Sequence, residues 1–229
     1  MPRVPPTRDP LWSLMSLLHK SHPWHGIELG SKAPAVVTTW IEIVPTDTIK
    51  FEIDKHTGHL MIDRPQRYSN VLPCLYGFLP QTLCADGVAA YAMSESGLDK
   101  LEGDGDPLDI CVFTECAVGR GDIQARAIPI GGLRMIDGGE ADDKIIAVLE
   151  GDASYGHWRD IGDMPAAMVD RLKHYFLTYK RGPGATQDPC RIEAVYGVAA
   201  AHECIRRSQA DYREQFPDLE ALLSAALRG

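Results

Sequence analysis

The chain has 229 residues, is 45% hydrophobic and 24% charged, and carries a formal net charge of −9. This is the balance of an ordinary soluble globular protein, long enough for one substantial core. It excludes a nonspecific nucleic-acid binder, which needs basic patches, and no stretch approaches the ~18 apolar residues that read as a membrane span. The six cysteines (Cys74, Cys84, Cys111, Cys116, Cys190, Cys204) form no close C-x-x-C pair and no zinc-finger spacing, which points to a reduced, cytoplasmic setting. Cys111 and Cys116 lie in or beside an apolar run and are expected to be core thiols.

Residues 1–35 are expected to form an N-terminal tail and a short helix. Asp9-Pro10 suits an N-cap and first helical position, and Leu11, Leu14, Met15 and Leu18 follow on one stripe. The same stretch has a faint signal-peptide look, but Ser13 and Ser16 interrupt it. No small-residue cleavage site follows. From Val36 the period changes to two. Ile41 and Ile43 flank Glu42; Ile49, Phe51 and Ile53 alternate with Lys50, Glu52 and Asp54; Leu60 and Ile62 continue the pattern after Thr57-Gly58. These predict antiparallel strands with one apolar face. Further strands are expected at 109–114, 122–130 and 144–149, so the pattern suggests a small barrel or a sandwich. Residues 79–102 show no clear period and read as an inserted loop or lid. A helix starts near Asp163-Met164-Pro165, with Met168, Leu172, Tyr175, Phe176 and Tyr179 on one face. Residues 182–229 are expected to add a strand at 191–196 and helices at 198–215 and 217–227 that pack on the core at 36–181.

The most telling segment is Gly103-Asp104-Gly105-Asp106-Pro107-Leu108-Asp109, three carboxylates within six positions at the mouth of an apolar strand. Asp-Gly and Asp-Pro steps are also ordinary turn chemistry. The spacing is not that of an EF-hand loop. Close anions repel unless a cation neutralises them, and an all-oxygen set suits a hard divalent metal such as Mg2+. A second acidic run, Asp137-Gly138-Gly139-Glu140-Ala141-Asp142-Asp143-Lys144, lies between two strand candidates. If both runs open at one rim, they form a cage for several cations.

Glu42, then Ile49-Lys50-Phe51-Glu52-Ile53-Asp54-Lys55, Gly58, Asp63-Arg64, Pro73-Cys74-Leu75-Tyr76-Gly77, the D-G-D-P-L-D segment, Met135-Ile136-Asp137 through Asp142-Asp143-Lys144, and Tyr179-Lys180 come in an order that resembles the family I soluble inorganic pyrophosphatases. The resemblance runs from about Val36 to Lys180. It implies an α+β, mainly β fold: a small closed or partly open antiparallel β-barrel, OB-like, flanked by helices. It also implies Mg2+-dependent hydrolysis of pyrophosphate in a homo-oligomer, with a hexamer favoured over a dimer. Carried over by position, Asp104, Asp109 and Asp142 are metal ligands, and Asp137 holds a further metal that arrives with substrate. Glu42 and Glu52 act from the outer shell, and Asp106 is the general base. Lys50, Arg64, Tyr76, Lys144, Tyr179 and Lys180 bind phosphate. One departure is Leu72, where the family usually has a Tyr. Two alternatives remain at this level: a hydrolase of another phosphate anhydride, such as a nucleotide or polyphosphate, and a homologue whose turnover is lowered by Leu72.

Overall fold

The computed structural model describes residues 19–66, 70–180, 190–217 and 225–228. All but residues 19 and 20 of the predicted helix at 10–20, and most of the one at 217–227, lie outside these residues. Strands β1 (Val37–Ile43), β2 (Ile49–Ile53), β3 (Leu60–Pro65) and β4 (Leu75–Phe78) come first, followed by helix α1 (Asp86–Ser96). Strands β5 (Glu102–Gly103), β6 (Asp109–Phe113), β7 (Ile123–Asp137), β8 (Glu140–Ala141) and β9 (Lys144–Leu149) come next. A short 3-10 turn at Ile161–Asp163 leads into α2 (Ala166–Thr178), and β10 (Cys190–Gly197) and α3 (Val198–Gln215) complete the order.

Strand β1 pairs with both β4 and β7, and the path β1-β4-β6-β9-β7 closes on itself. The fold is therefore mainly β, with a closed ring of five strands, as expected. Closure satisfies the edges of β1 on both sides, which is why nearly all of it is buried. Four seams of the ring are antiparallel; the β6–β9 seam is parallel, with Asp109 opposite Lys144 and Phe113 opposite Val148. The runs Ile110-Cys111-Val112-Phe113 and Ile145-Ile146-Ala147-Val148 are apolar without alternation, because both faces of these strands are covered. One face packs with Val88 and Tyr91 of α1 and Ala201 and Ile205 of α3. The other packs with Leu172 and Phe176 of α2.

Four expectations are corrected here. Residues 79–102 are not a loop throughout, since α1 occupies Asp86–Ser96. Strand β7 runs past 130 to Asp137, because Gly131 and Gly132 leave room for Tyr196 of β10: a Cβ on Gly132 would lie 2.4 Å from the Tyr196 hydroxyl oxygen. Cys116 is exposed, beyond the end of β6, while the other five cysteines are buried. The β2–β3 hairpin forms a separate two-stranded sheet with a register shift at Lys50/Phe51, and Ile62 on it is 58% exposed rather than inward.

Candidate active site

Parallel pairing of β6 and β9 starts both strands at the same end of the ring. The acidic run before β6 and the one before β9 therefore meet at one rim, which is the condition for a cage of cations. The loop ahead of β6 is braced from the 79–86 side. Asp104 Oδ1 accepts from the Asp106 amide (2.9 Å), the Cys84 amide donates to the Asp106 carbonyl (2.8 Å), and the Leu108 amide donates to Thr82 Oγ1 (2.9 Å). Gly105 sits at φ +72°, a conformation that favours glycine. A Cβ at Gly103 would meet the Cys84 carbonyl oxygen at 2.3 Å, so the two segments lie back to back. The loop before β9 is tied to β7 by the Asp142 amide donating to the Met135 carbonyl (2.9 Å).

A cavity of about 240 Å³ opens at this rim. Asp104, Asp106, Asp109, Asp137 and Asp142 line it, together with Glu42, Glu52, Lys50, Tyr76, Lys144, Tyr179 and Lys180. Arg64 is the one predicted site residue outside this lining. It lies opposite Lys50 in the hairpin, and its guanidinium turns to Asp63 (2.5 Å). The structure adds Lys55 and Glu140 to the lining, and Lys55 pairs with Asp106. Both stood in the quoted motifs, but nothing in their spacing marked them. Tyr175 and Phe176 of α2 form the apolar wall, with the Lys144 ammonium 5.7 Å from the Phe176 ring centre.

The electrostatics are those of packed anions held by ammonium groups. Lys144 is almost wholly buried and bridges Asp109 and Asp142, while Tyr76 donates to Asp109. Burial alone would lower the Lys144 pKa, but the two aspartates hold it well above the ordinary lysine value. Burial, then Asp142, pushes Asp104 up to about 8. Burial also raises Asp109, against the pull of Lys144. Glu42 is raised by burial to about 8, although its Oε1 accepts from the Ile53 amide at 2.8 Å. At Asp137, burial is outweighed by Lys180, which holds the carboxyl below its usual range. Lys50 lies between Glu52 and Asp63, which together outweigh burial and raise its pKa.

A family model described as inorganic pyrophosphatase matches residues 39–213. The chain belongs to the inorganic pyrophosphatase family. This membership makes it an enzyme, an inorganic diphosphatase. It is 49% identical over 199 residues to the inorganic pyrophosphatase of Chlamydia muridarum (strain MoPn / Nigg), covering 85% of this chain and 95% of that one. It is 39% identical over 182 residues to the soluble inorganic pyrophosphatase of Oryza sativa subsp. japonica, covering 78% and 76%. The crystal structure of the inorganic pyrophosphatase from Thermus thermophilus superposes with a TM-score of 0.70 at 29% identity, over 84% of this chain and 99% of that one. Among the described residues, no helix is long and apolar enough to cross a membrane.

Leu72 is 2% exposed and packs in the cluster that holds Cys74, Cys111, Phe113 and Leu172. A Tyr there would have to force its ring and hydroxyl into filled space. Leu72→Tyr is therefore expected to cost about 1–3 kcal/mol of stability without raising activity. Thermal melting and a pyrophosphate assay check this together; a more active, equally stable variant would show that the pocket had been waiting for the hydroxyl.

Proposed function

We propose that this cleft hydrolyses inorganic pyrophosphate to two phosphates with the help of several Mg2+ ions. The single observation that carries the reading is the parallel β6–β9 seam, which sets Asp109 and Lys144 side by side beneath two acidic loops. The donor set fits a hard divalent cation: every candidate ligand is a carboxylate, and Asp104 and Asp109 are raised first by burial and then by the neighbouring Asp142, so a bound cation would offset both. Among the described residues no three acidic groups converge on a single point, and the Lys144 ammonium bridges Asp109 and Asp142 instead. Asp104, Asp109, Asp142 and Asp137 would hold the ions, with Glu42 and Glu52 behind them. When bound, Mg2+ supplies the positive charge that an acidic cleft needs to accept a dense anion, and makes water a stronger acid.

The chain's own groups divide the remaining work. Lys50, Lys144 and Lys180, with Arg64 from the hairpin, neutralise charge on the phosphates, and Tyr76 and Tyr179 donate hydroxyl hydrogen bonds. Phe176 and Tyr175 exclude water from one side. Asp106 takes the proton of the attacking water; the bridging P–O bond breaks, and its oxygen leaves with the second phosphate. In the cleft Asp106 pairs through Oδ1 with Lys55, and both side chains are half-exposed. Asp106→Asn is expected to lower the turnover by about 10²–10⁴-fold while Mg2+ affinity stays near that of the parent. A pure loss of affinity would contradict the base assignment.

Phosphate release from pyrophosphate, with Mg2+ and with EDTA, tests the whole reading. Release at background level, or a clear preference for a nucleoside triphosphate, would overturn it. The cytoplasmic setting, read from the cysteine pattern, and the homo-oligomer, hexamer before dimer, which rests on family membership, belong to the same proposal; light scattering coupled to size exclusion decides the assembly.

A further inference from the structure

Asp142 and Lys144 face the cleft, and Asp143 between them points the other way, as the alternation of an extended chain requires. It is 1% exposed and meets Arg134 of β7, itself 2% exposed. Arg134 donates from Nη2 to Asp143 Oδ2 at 3.2 Å and from Nε to the same oxygen at 3.3 Å. The Tyr196 hydroxyl donates to that carboxylate at 3.1 Å. The guanidinium lies 4.6 Å from the ring centre of Tyr91 on α1 and 5.1 Å from that of Tyr196 on β10. Neither Arg134 nor Asp143 lines the cleft. A buried ion pair of this kind often adds no more stability than apolar side chains of the same volume, so stability alone does not account for it. What it has that an apolar pair lacks is direction: it fixes one residue of a three-residue segment whose two neighbours are in the site.

We propose that the Arg134–Asp143 pair, with Tyr91 stacked on the guanidinium, is a positioning device that sets Asp142 and Lys144 for cation and phosphate binding. The proposal rests on the assignment of Asp142 and Lys144 above. It also gives the inserted segment a role. Helix α1 does not reach into the cleft, but its Tyr91 holds the back of the strand that does. None of these three residues lines the cleft.

The test is Mg2+ affinity measured by titration calorimetry without pyrophosphate, beside thermal melting and steady-state kinetics. Replacing the pair by Arg134→Met with Asp143→Leu is expected to leave melting close to that of the parent and to weaken Mg2+ binding about tenfold. Tyr91→Leu is expected to weaken it several-fold, and Tyr91→Phe, which keeps the ring, to restore it. Asp152→Asn is the stability control: Asp152 accepts from the amides of Glu115, Ser154 and Tyr155 far from this pair, so melting should fall and Mg2+ affinity hold. Parent-like affinity in the folded double variant overturns the proposal. If that variant does not fold, parent-like affinity in Tyr91→Leu overturns it. A loss of affinity in Asp152→Asn equal to that in Tyr91→Leu overturns it too, as does a parent chain that binds no Mg2+. A parent that binds Mg2+ tightly but does not hydrolyse pyrophosphate sinks the proposed activity and leaves the positioning role standing.

Discussion

Asp109→Asn is expected to lower Mg2+-supported pyrophosphate hydrolysis by about 10³-fold, equivalent to about 4 kcal/mol of transition-state stabilisation. Asp109 is the first residue of β6, and its carboxylate takes the Tyr76 hydroxyl and the Lys144 ammonium together. The substitution keeps the shape and removes one negative charge from the point where two acidic loops and the principal lysine meet. Lys144 would keep Asp142 as its buried partner, so the fold should survive. Phosphate release with saturating Mg2+, set beside circular dichroism, separates a lost site from a lost fold. Near-parent activity would reduce the D-G-D-P-L-D segment to a turn.

Gly77→Ala is expected to have the largest effect on folding. Gly77 sits in β4 opposite Ile41 of β1, at the seam that helps close the ring. A Cβ there would lie 1.8 Å from the Trp40 carbonyl oxygen and 2.9 Å from the Ile41 Cα. Both are backbone atoms of a strand hydrogen-bonded on both edges, so no side chain can swing aside. Opening that seam would separate β1 from β4 and tilt Tyr76 away from Asp109. The cost should exceed about 4 kcal/mol, a large share of the roughly 5–15 kcal/mol that holds a domain together. Soluble yield and the denaturant midpoint measure it; a midpoint close to that of the parent would show that β4 can move where the packing says it cannot.

The site was more legible than the fold around it. Its aspartates lie in two short runs with turn residues between them, so local spacing alone brings the groups of each run together, whereas Glu42 and Glu52 come from separate strands. Arg64 was placed in the site by the same resemblance, yet its guanidinium rests on the adjacent Asp63, while Lys50 and Glu52 on the facing strand of the same hairpin line the cleft. Strand direction was not legible: apolar patterning is the same for parallel and antiparallel neighbours, and the β6–β9 seam is set by the chain's path through β7. Helix α1 was missed for a related reason. Val88, Ala89, Tyr91 and Ala92 are buried, but the small residues around them give little contrast between faces, and Ala85 at the N-cap offers no side-chain oxygen.

The missing oxygen comes from Asp211 of α3, which accepts from the amides of Ala85, Gly87 and Val88, each at 3.0 Å. Those partners lie 123 to 126 residues apart in the chain. During synthesis, every residue of the cleft leaves the ribosome before that carboxylate does. Until Asp211 emerges, the first-turn amides of α1 have only water as a partner, and a helix of 11 residues is marginal by itself. A chain stopped short of α3 would contain the complete set of cleft residues but would leave Val88 and Tyr91 uncovered, a sticky surface of the kind that chaperones retain. The first turn of α1 is thus completed only by a residue of the last described long helix.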